Sequence, residues 1–414
     1  MKRLDYIFRL LCLSVFIFLT AGSKAQDVKL SMLQQMDSVE VGLLTCTPGN
    51  EIWSLYGHTA IRFRDPLNNQ DLAINYGTFN FQKNNFVLRF VFGLTDYEMS
   101  MTPFSMFVME YAAKGRGVVE QRLNLTAEEK LNIAQALWEN YSPENRVYRY
   151  NYFYDNCTTR ARDILASHIN GQVEYGQVAH GQATDRKASY RKMIHQWNEN
   201  HRWARFGNDL LLGVKADAPT DLAEQQFLPD SLRKDFARAI IVAPDGKKRP
   251  LIDSTFEILK PNAENANVQT TIWDRLSPTS VMVALLLLVI LLTGWEFARG
   301  KHFWLLDTVL LTLDGLAGLV LLAMVFSQHP TVSLNFQILL LNPLSLLFVY
   351  GAITRQEKGQ VHGYWRFLLA CIILFGIAGF FQSYAEGIYI LALTLLIRIF
   401  SNTWLKKIKA PKGQ

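Results

Sequence analysis

The chain predicts an α+β domain followed by an all-α bundle of five transmembrane helices. Three observations lead there. The 50% hydrophobic content of the 414 residues is concentrated at the N-terminus and after Ser277. Between those regions, short alternating apolar runs bounded by Pro, Gly, Asn and Asp are mixed with helical periodicities. After Ser277 the apolar segments lengthen and recur five times.

Residues 1–25 read as a secretory signal peptide. Lys2, Arg3 and Arg9 form its basic region, Leu10–Leu19 its apolar core, and Ser23-Lys24-Ala25 its cleavage site. That core is short for an uncleaved membrane anchor. Cys12 lies within it, without the small residues that would precede a lipoprotein cysteine.

Residues 26–265 form the α+β domain. Gln26 to about Glu40 carries a helical apolar repeat, and Val41–Cys46 is strand-like. From His58 to Arg64 the pattern alternates, Asp65–Asn69 turns, and Leu72–Tyr76 returns as a second strand. His58 and Asn75 therefore belong to neighbouring strands of one hairpin. Residues 84–113 are rich in Phe and Met. They read first as core and second as a deformable wall for an acyl chain. Gly115–Leu125 is another strand, and Thr126–Glu129 is a capping box opening a helix to about Tyr141. The aromatic run Tyr148–Tyr154 reads as a strand. It breaks at Asp155-Asn156, both good helix caps, before a helix with Ile164, Leu165, His168 and Ile169 on one face. Residues 171–205 are polar and loop-like, and His180, His195 and His201 read as solvated or hydrogen-bonded.

Residues 266–277 form a polar linker, 278–402 the membrane domain and 403–414 a basic tail. The spans fall near Ser280–Phe297, Phe303–Phe326, Leu334–Ala352, Phe367–Phe381 and Gly387–Phe400. Arg299 and Lys301, then Arg355, Lys358 and Arg366, then Lys406, Lys407, Lys409 and Lys412 follow alternate spans. Ser327–Val332 and Gln382–Glu386 carry no Lys or Arg. The positive-inside rule puts the first, third and fifth exits in the cytoplasm. An odd number of spans after an exported domain gives the same orientation: an inner-membrane protein with a periplasmic N-terminal domain and a cytoplasmic C-terminus. Asp307 and Asp314 fall within the second span, where carboxylates are functional suspects.

The net charge of +6 is explained by these flanking basic residues, so no nucleic-acid partner is expected. Four widely spaced cysteines make no zinc pattern, and no metal or other cofactor is expected. Cys157 is the residue to explain. In the first turn of a helix, unpaired N–H groups and the helix dipole stabilise a thiolate. Such a nucleophile needs a base, and the base needs an orienter. His58, at the head of a strand, is the candidate base. Asn75 or Asp71 on the following strand are candidate orienters, and Asn156 with the Cys157 N–H is a candidate oxyanion holder. Histidine on a strand before cysteine at a helix start is a permuted papain-like order. A core histidine and an inert buried cysteine would carry the same spacing. Cys46 could instead pair with Cys157 and silence it.

At these residues the chain resembles a known family. Trp53-Ser54-Leu55-Tyr56-Gly57-His58-Thr59-Ala60-Ile61-Arg62, Asn75-Tyr76-Gly77, Tyr150-Asn151 and Asn156-Cys157-Thr158-Thr159 look like the Lnb-type periplasmic domain, formerly a domain of unknown function. Asp209–Gly213 and Phe227-Leu228-Pro229 look like its later signature, and the five terminal helices look like the Lnb-type transmembrane domain. The resemblance covers nearly all of the mature chain. It implies an NlpC-like cysteine fold and lipoprotein N-acylation, with Cys157 as acyl acceptor and His58 as general base. The implied partners are diacylated lipoproteins and an acyl donor that is either a phospholipid or the lipoprotein itself. Two other functions compete: a membrane-anchored cysteine peptidase or amidase acting on cell-wall peptides, and a non-enzymatic redox sensor using a Cys46–Cys157 disulfide.

Overall fold

A computed structural model describes residues 30–78, 85–175, 188–262 and 276–405. The expected signal peptide, most of the linker and the tail beyond Leu405 lie outside the described residues. So does His180.

The N-terminal half is a mixed α/β unit. In chain order come α1 (30–37), β1 (Glu40–Cys46), β2 (His58–Asp65), β3 (Gln70–Thr78) and α2 (Phe86–Val91). Then come β4 (Asp96–Pro103), α3 (Phe104–Ala113), β5 (Val118–Leu123), α4 (Ala127–Tyr141), β6 (Val147–Arg149) and α5 (Cys157–Ser167). β7 (Gln172–Glu174), α6 (Tyr190–His195), α7 (Arg202–Leu211), α8 (Leu222–Gln225), α9 (Pro229–Phe236), β8 (Ile240–Val242), β9 (Lys248–Pro250) and β10 (Ile252–Leu259) complete it. The main sheet is antiparallel, with spatial order β10-β5-β1-β2-β3-β4-β6, and β7, β8 and β9 form a smaller sheet.

Strand alternation sorts the side chains onto two faces. Leu43, Ile61, Phe63, Ile74 and Tyr76 meet α4, α5 and α9 in the main core. Leu44, Cys46, Ala60 and Ala73 face Phe104, Phe107 and Tyr111 of α3. The Thr126–Glu129 capping box forms and opens α4. The Phe/Met segment divides: Met99, Phe104 and Phe107 are buried, whereas Phe90, Met106 and Met109 are exposed.

Two local expectations fail for physical reasons. The aromatic run is a strand only over Val147–Arg149. Beyond it, Asn151 Oδ1 accepts hydrogen bonds from Phe153 N (3.2 Å) and Tyr154 N (3.4 Å). Backbone bonds between Asn151 and Asp155 close the turn, so an Asx-type turn outcompetes the ladder. The stretch expected as loop contains β7, α6 and the start of α7. There Arg191 is 2% exposed and donates to the carboxylates of Asp209 and Asp217 and to the Leu212 carbonyl. Removing it would leave Asp209 buried without its guanidinium, at a cost of about 3–5 kcal/mol.

The C-terminal region is helical: α10 (Pro278–Arg299), α11 (Trp304–Val325), α12 (Leu344–Glu357), α13 (Gly363–Ala378) and α14 (Ile388–Phe400). Among the described residues, three stretches are long and apolar enough to cross a membrane: α10, α11 and Phe336–Glu357, which ends in α12. The other two helices are shorter. Phe336–Glu357 is broken near Asn342-Pro343. Asp314 of α11 accepts from the freed Asn342 N–H (3.3 Å) and from Ser345 Oγ (2.5 Å). A broken helix at such a depth needs its backbone groups satisfied by protein. A Cβ at Gly318 would come within 2.5 Å of the Leu341 carbonyl, so only glycine allows this approach. Asp307 pairs with the buried Arg398, which also binds Glu296.

The two halves are joined by the 209–213 stretch. Gly213 N donates to Thr331 O (2.8 Å) and Val214 N to Leu334 O (2.8 Å). Gln337 Nε2 donates to Asp209 O (2.9 Å), and Gln382 Nε2 to Leu212 O (3.1 Å). A Cβ at Gly213 would collide with the Leu334 carbonyl. Of these partners, Thr331 and Gln382 lie in the loops that lack Lys and Arg, and Leu334 and Gln337 follow the first of them.

Candidate active site

Cys157 is the first residue of α5, and Asn156 is its cap. Asn156 Oδ1 accepts from Thr158 N (2.8 Å) and Thr159 N (2.9 Å), and Thr159 Oγ1 accepts from Asn156 N (2.9 Å). Asn156 Nδ2 donates to Tyr152 O (2.8 Å) and Phe227 O (3.0 Å). Oδ1 and both N–H bonds of the amide are therefore committed. The expected oxyanion holder is Asn156 with the Cys157 N–H; in the structure the Asn156 side chain is engaged within the cap. The cap satisfies the second and third N–H groups of the helix and leaves that of Cys157 without an intrahelical acceptor.

His58 and Cys157 line the same cavity, close enough for each to shift the other's charge. His58 Nε2 lies 2.8 Å from Asn75 Oδ1. Gly77 N donates to the same oxygen (2.6 Å). A backbone N–H can only donate, so this contact fixes which end of the amide is oxygen. Nε2 must then carry a proton, and Nδ1 is left for the thiol. β3 bulges against β4 between Asn75 and Thr78, a device that re-aims side chains. Gly77 is glycine for a reason: a Cβ there would lie 2.6 Å from His58 Cε1.

The electrostatics follow. Burial alone would push the Cys157 thiol up. The His58 charge and hydrogen bond outweigh burial, with help from the Thr59 backbone and the Thr158 hydroxyl. They hold the thiol down at about 7. For His58 burial acts downward, but the Cys157 charge, its hydrogen bond and Asn75 raise the imidazole above its ordinary value. The two shifts describe one thiolate–imidazolium pair.

Asp71 is not brought to this pair. Its carboxylate grips Arg62 through two bonds of 2.8 and 2.7 Å, and Arg62 also binds Glu120 at 2.6 Å. Cys46 is Cα-paired with His58 across β1 and β2, yet Cys46 and Cys157 are both free thiols. Burial raises the Cys46 thiol to about 12 despite a hydrogen bond with Tyr111. His195 bonds Asp209 Oδ1 (2.8 Å), away from the thiol.

Cys157, His58 and Asn75 line a cavity of about 430 Å³. Its lining includes the basic Arg116 and Lys114. It also includes Leu211, Leu212, Phe227 and Leu228, which belong to one apolar cluster with Met324 and Val332. Met324 of α11 and His329, Thr331 and Val332 just beyond it line the cavity as well. The helical region therefore contributes to the cavity. Sequence reasoning missed these last four residues, because their approach depends on docking rather than spacing. It also missed Arg116, which nothing in the local pattern distinguishes. Among the described residues no cluster of metal ligands occurs.

Fold and site define a membrane protein whose sheet domain carries a thiol–imidazole pair in a cavity lined in part by the helical region. Comparison with known families is specific. The model of the Lnb N-terminal periplasmic domain matches residues 30–196, and that of the Lnb transmembrane domain matches residues 269–409. The chain belongs to the Lnb family, membrane-associated proteins of lipoprotein processing with a periplasmic N-terminal domain. No curated protein and no solved structure matches it.

Proposed function

We propose that this protein is a lipoprotein N-acyltransferase acting through a thioester on Cys157. One observation carries the reading: a thiol lowered by His58 opens into a cavity with an apolar wall built partly by a membrane helix. The thiolate attacks the carbonyl carbon of an acyl ester. The Cys157 N–H at the start of α5 faces the developing oxyanion. The ester C–O bond breaks, and the His58 imidazolium gives its proton to the leaving alkoxide. The α-amino group of a diacylated lipoprotein's N-terminal cysteine then attacks the thioester. His58 takes the amine proton, and the thiolate departs. Asn75 holds the imidazole in the tautomer both steps need.

The strand histidine preceding the helix-start cysteine is the order of a permuted papain-like, NlpC-like domain. In this reading, 1–25 is a cleaved signal, 26–265 the catalytic domain and 266–277 a linker. Five helices over 278–402 span the inner membrane, and the 403–414 tail lies in the cytoplasm. The apolar wall favours lipid over the cell-wall peptides of a peptidase or amidase. The raised Cys46 thiol disfavours the redox sensor.

The test is mass spectrometry of a lipoprotein N-terminus from cells carrying Cys157→Ser. The expected result is loss of the N-acyl group with unchanged abundance of the membrane protein. Full N-acylation in that strain would refute the proposal.

A further inference from the structure

Arg116 is the unexplained group of the cavity. It is 7% exposed, and its Nη2 is buried without a hydrogen-bond partner. Its position is fixed. Nε donates to Thr47 O (2.7 Å), Gly117 N donates to Thr47 Oγ1 (2.7 Å), and the guanidinium lies over the Tyr111 ring at 4.7 Å. Among the described residues no carboxylate pairs with it. The acids nearby make no ion pair with it: Glu110 pairs with Lys114 (2.7 Å), and Glu51, on which the Arg116 charge acts from a distance, accepts from Ser54 Oγ (2.7 Å). A buried, unpaired guanidinium is costly, and its planar fork matches an oxyanion of phosphate geometry. Arg116 lines the same cavity as Cys157, and its charge reaches His58.

We propose that Arg116 is an anion-binding residue of this cavity and that the acyl donor it holds is a phosphate-bearing glycerolipid. This rests on the acyl-transfer reading of Cys157. The diacylglyceryl group of a lipoprotein carries esters and a thioether but no anion. A glycerophospholipid carries a phosphodiester one glycerol away from its esters. With the phosphate on Arg116, the Cys157 thiolate attacks the ester carbonyl. A C–S bond forms, the glycerol C–O bond breaks, and the alkoxide takes the His58 proton. The products are the Cys157 thioester and a lysophospholipid that keeps the phosphate charge.

The test uses the full chain in non-ionic detergent micelles carrying either phosphatidylethanolamine or diacylglycerol, with no lipoprotein added. Intact-mass spectrometry follows the Cys157 adduct. The wild type should acylate at least about tenfold faster from the phospholipid, releasing one lysophospholipid per adduct. Arg116→Gln should lose about tenfold with phospholipid and nothing with diacylglycerol, and Arg116→Lys should fall between. Iodoacetamide labelling of Cys157 in Arg116→Gln should stay within a few-fold of wild type, since only the Arg116 charge on His58 is lost, separating lost binding from lost folding. The donor preference needs no variant, so it stands as a test even where Arg116→Gln fails to fold. Equal wild-type rates from the two lipids would overturn the proposal. So would an undiminished Arg116→Gln, or inorganic phosphate raising the diacylglycerol rate to that of the phospholipid. In a second stage a diacylated lipoprotein is added to the phospholipid micelles, and its N-acylation without any lysophospholipid would overturn this donor assignment alone. No adduct and no N-acylation with any donor would overturn the acyltransferase reading as well.

Discussion

Two thiols lie near His58, and their environments drive them in opposite directions. Cys46 sits in β1 against Phe104, Phe107 and Tyr111, and burial lifts its thiol to about 12. Cys157 opens a helix and faces an imidazole, and its thiol falls to about 7. Burial acts upward on both. What differs is a cation with a defined proton position and a cap that leaves the N-terminal N–H free. Reactivity here comes from partners and placement, not from exposure of the sulfur.

Removing the imidazole should erase the contrast. His58→Ala takes away the base and the charge that offsets burial, so N-acylation should fall by about 10²–10⁴-fold. The thiol itself should report the same loss. Wild-type Cys157 is ionised above about 7, so its iodoacetamide labelling should rise through that pH. In His58→Ala the upward push of burial is opposed only by the Thr59 backbone and the Thr158 hydroxyl, so the midpoint should move up from about 7. An unchanged midpoint would mean that His58 does not set the charge of Cys157.

A smaller break comes from the support of His58. Asn75→Ala leaves Nε2–H without its acceptor, at a cost of about 2 kcal/mol, or roughly thirtyfold in N-acylation rate. Gly77→Ala should act on the same ring by a different route, since its Cβ would lie 2.6 Å from Cε1. A loss of about tenfold is expected, with the labelling midpoint displaced upward as the ring leaves the thiol. Wild-type kinetics in both variants would show that β3 does not position the base.

Much of this arrangement is legible in the amino-acid sequence. The Asp155-Asn156 break marks the helix start, because short polar side chains that satisfy backbone N–H groups are local signals. The hairpin places His58 near Asn75 through a period-two pattern and a turn. Spacing does not choose Asn75 over Asp71, since both sit on β3 four residues apart. The choice depends on Arg62 and Glu120, brought together across strands far apart in sequence. The aromatic run misleads because Asn151 folds its own backbone into a turn, which alternation does not report. The 209–213 stretch is recognisable as a motif, but its role needs partners at Thr331, Leu334, Gln337 and Gln382. Contacts over more than a hundred residues leave no local trace.

The smallest effect should come from Cys46, and it is the sharpest check on the contrast. With its thiol at about 12, roughly one Cys46 in 10⁵ is a thiolate at pH 7. Attack on an oxidised Cys157 should therefore be slow. Cys46→Ser preserves shape and keeps a hydroxyl for Tyr111. N-acylation and the pH midpoint of Cys157 labelling should stay within about twofold of wild type, with a stability loss of about 1 kcal/mol read by thermal melting. Thiol trapping in intact cells should recover both cysteines reduced. A Cys46–Cys157 disulfide there, together with a tenfold change in labelling on Cys46→Ser, would make the two thiols one switch instead of two separate sites.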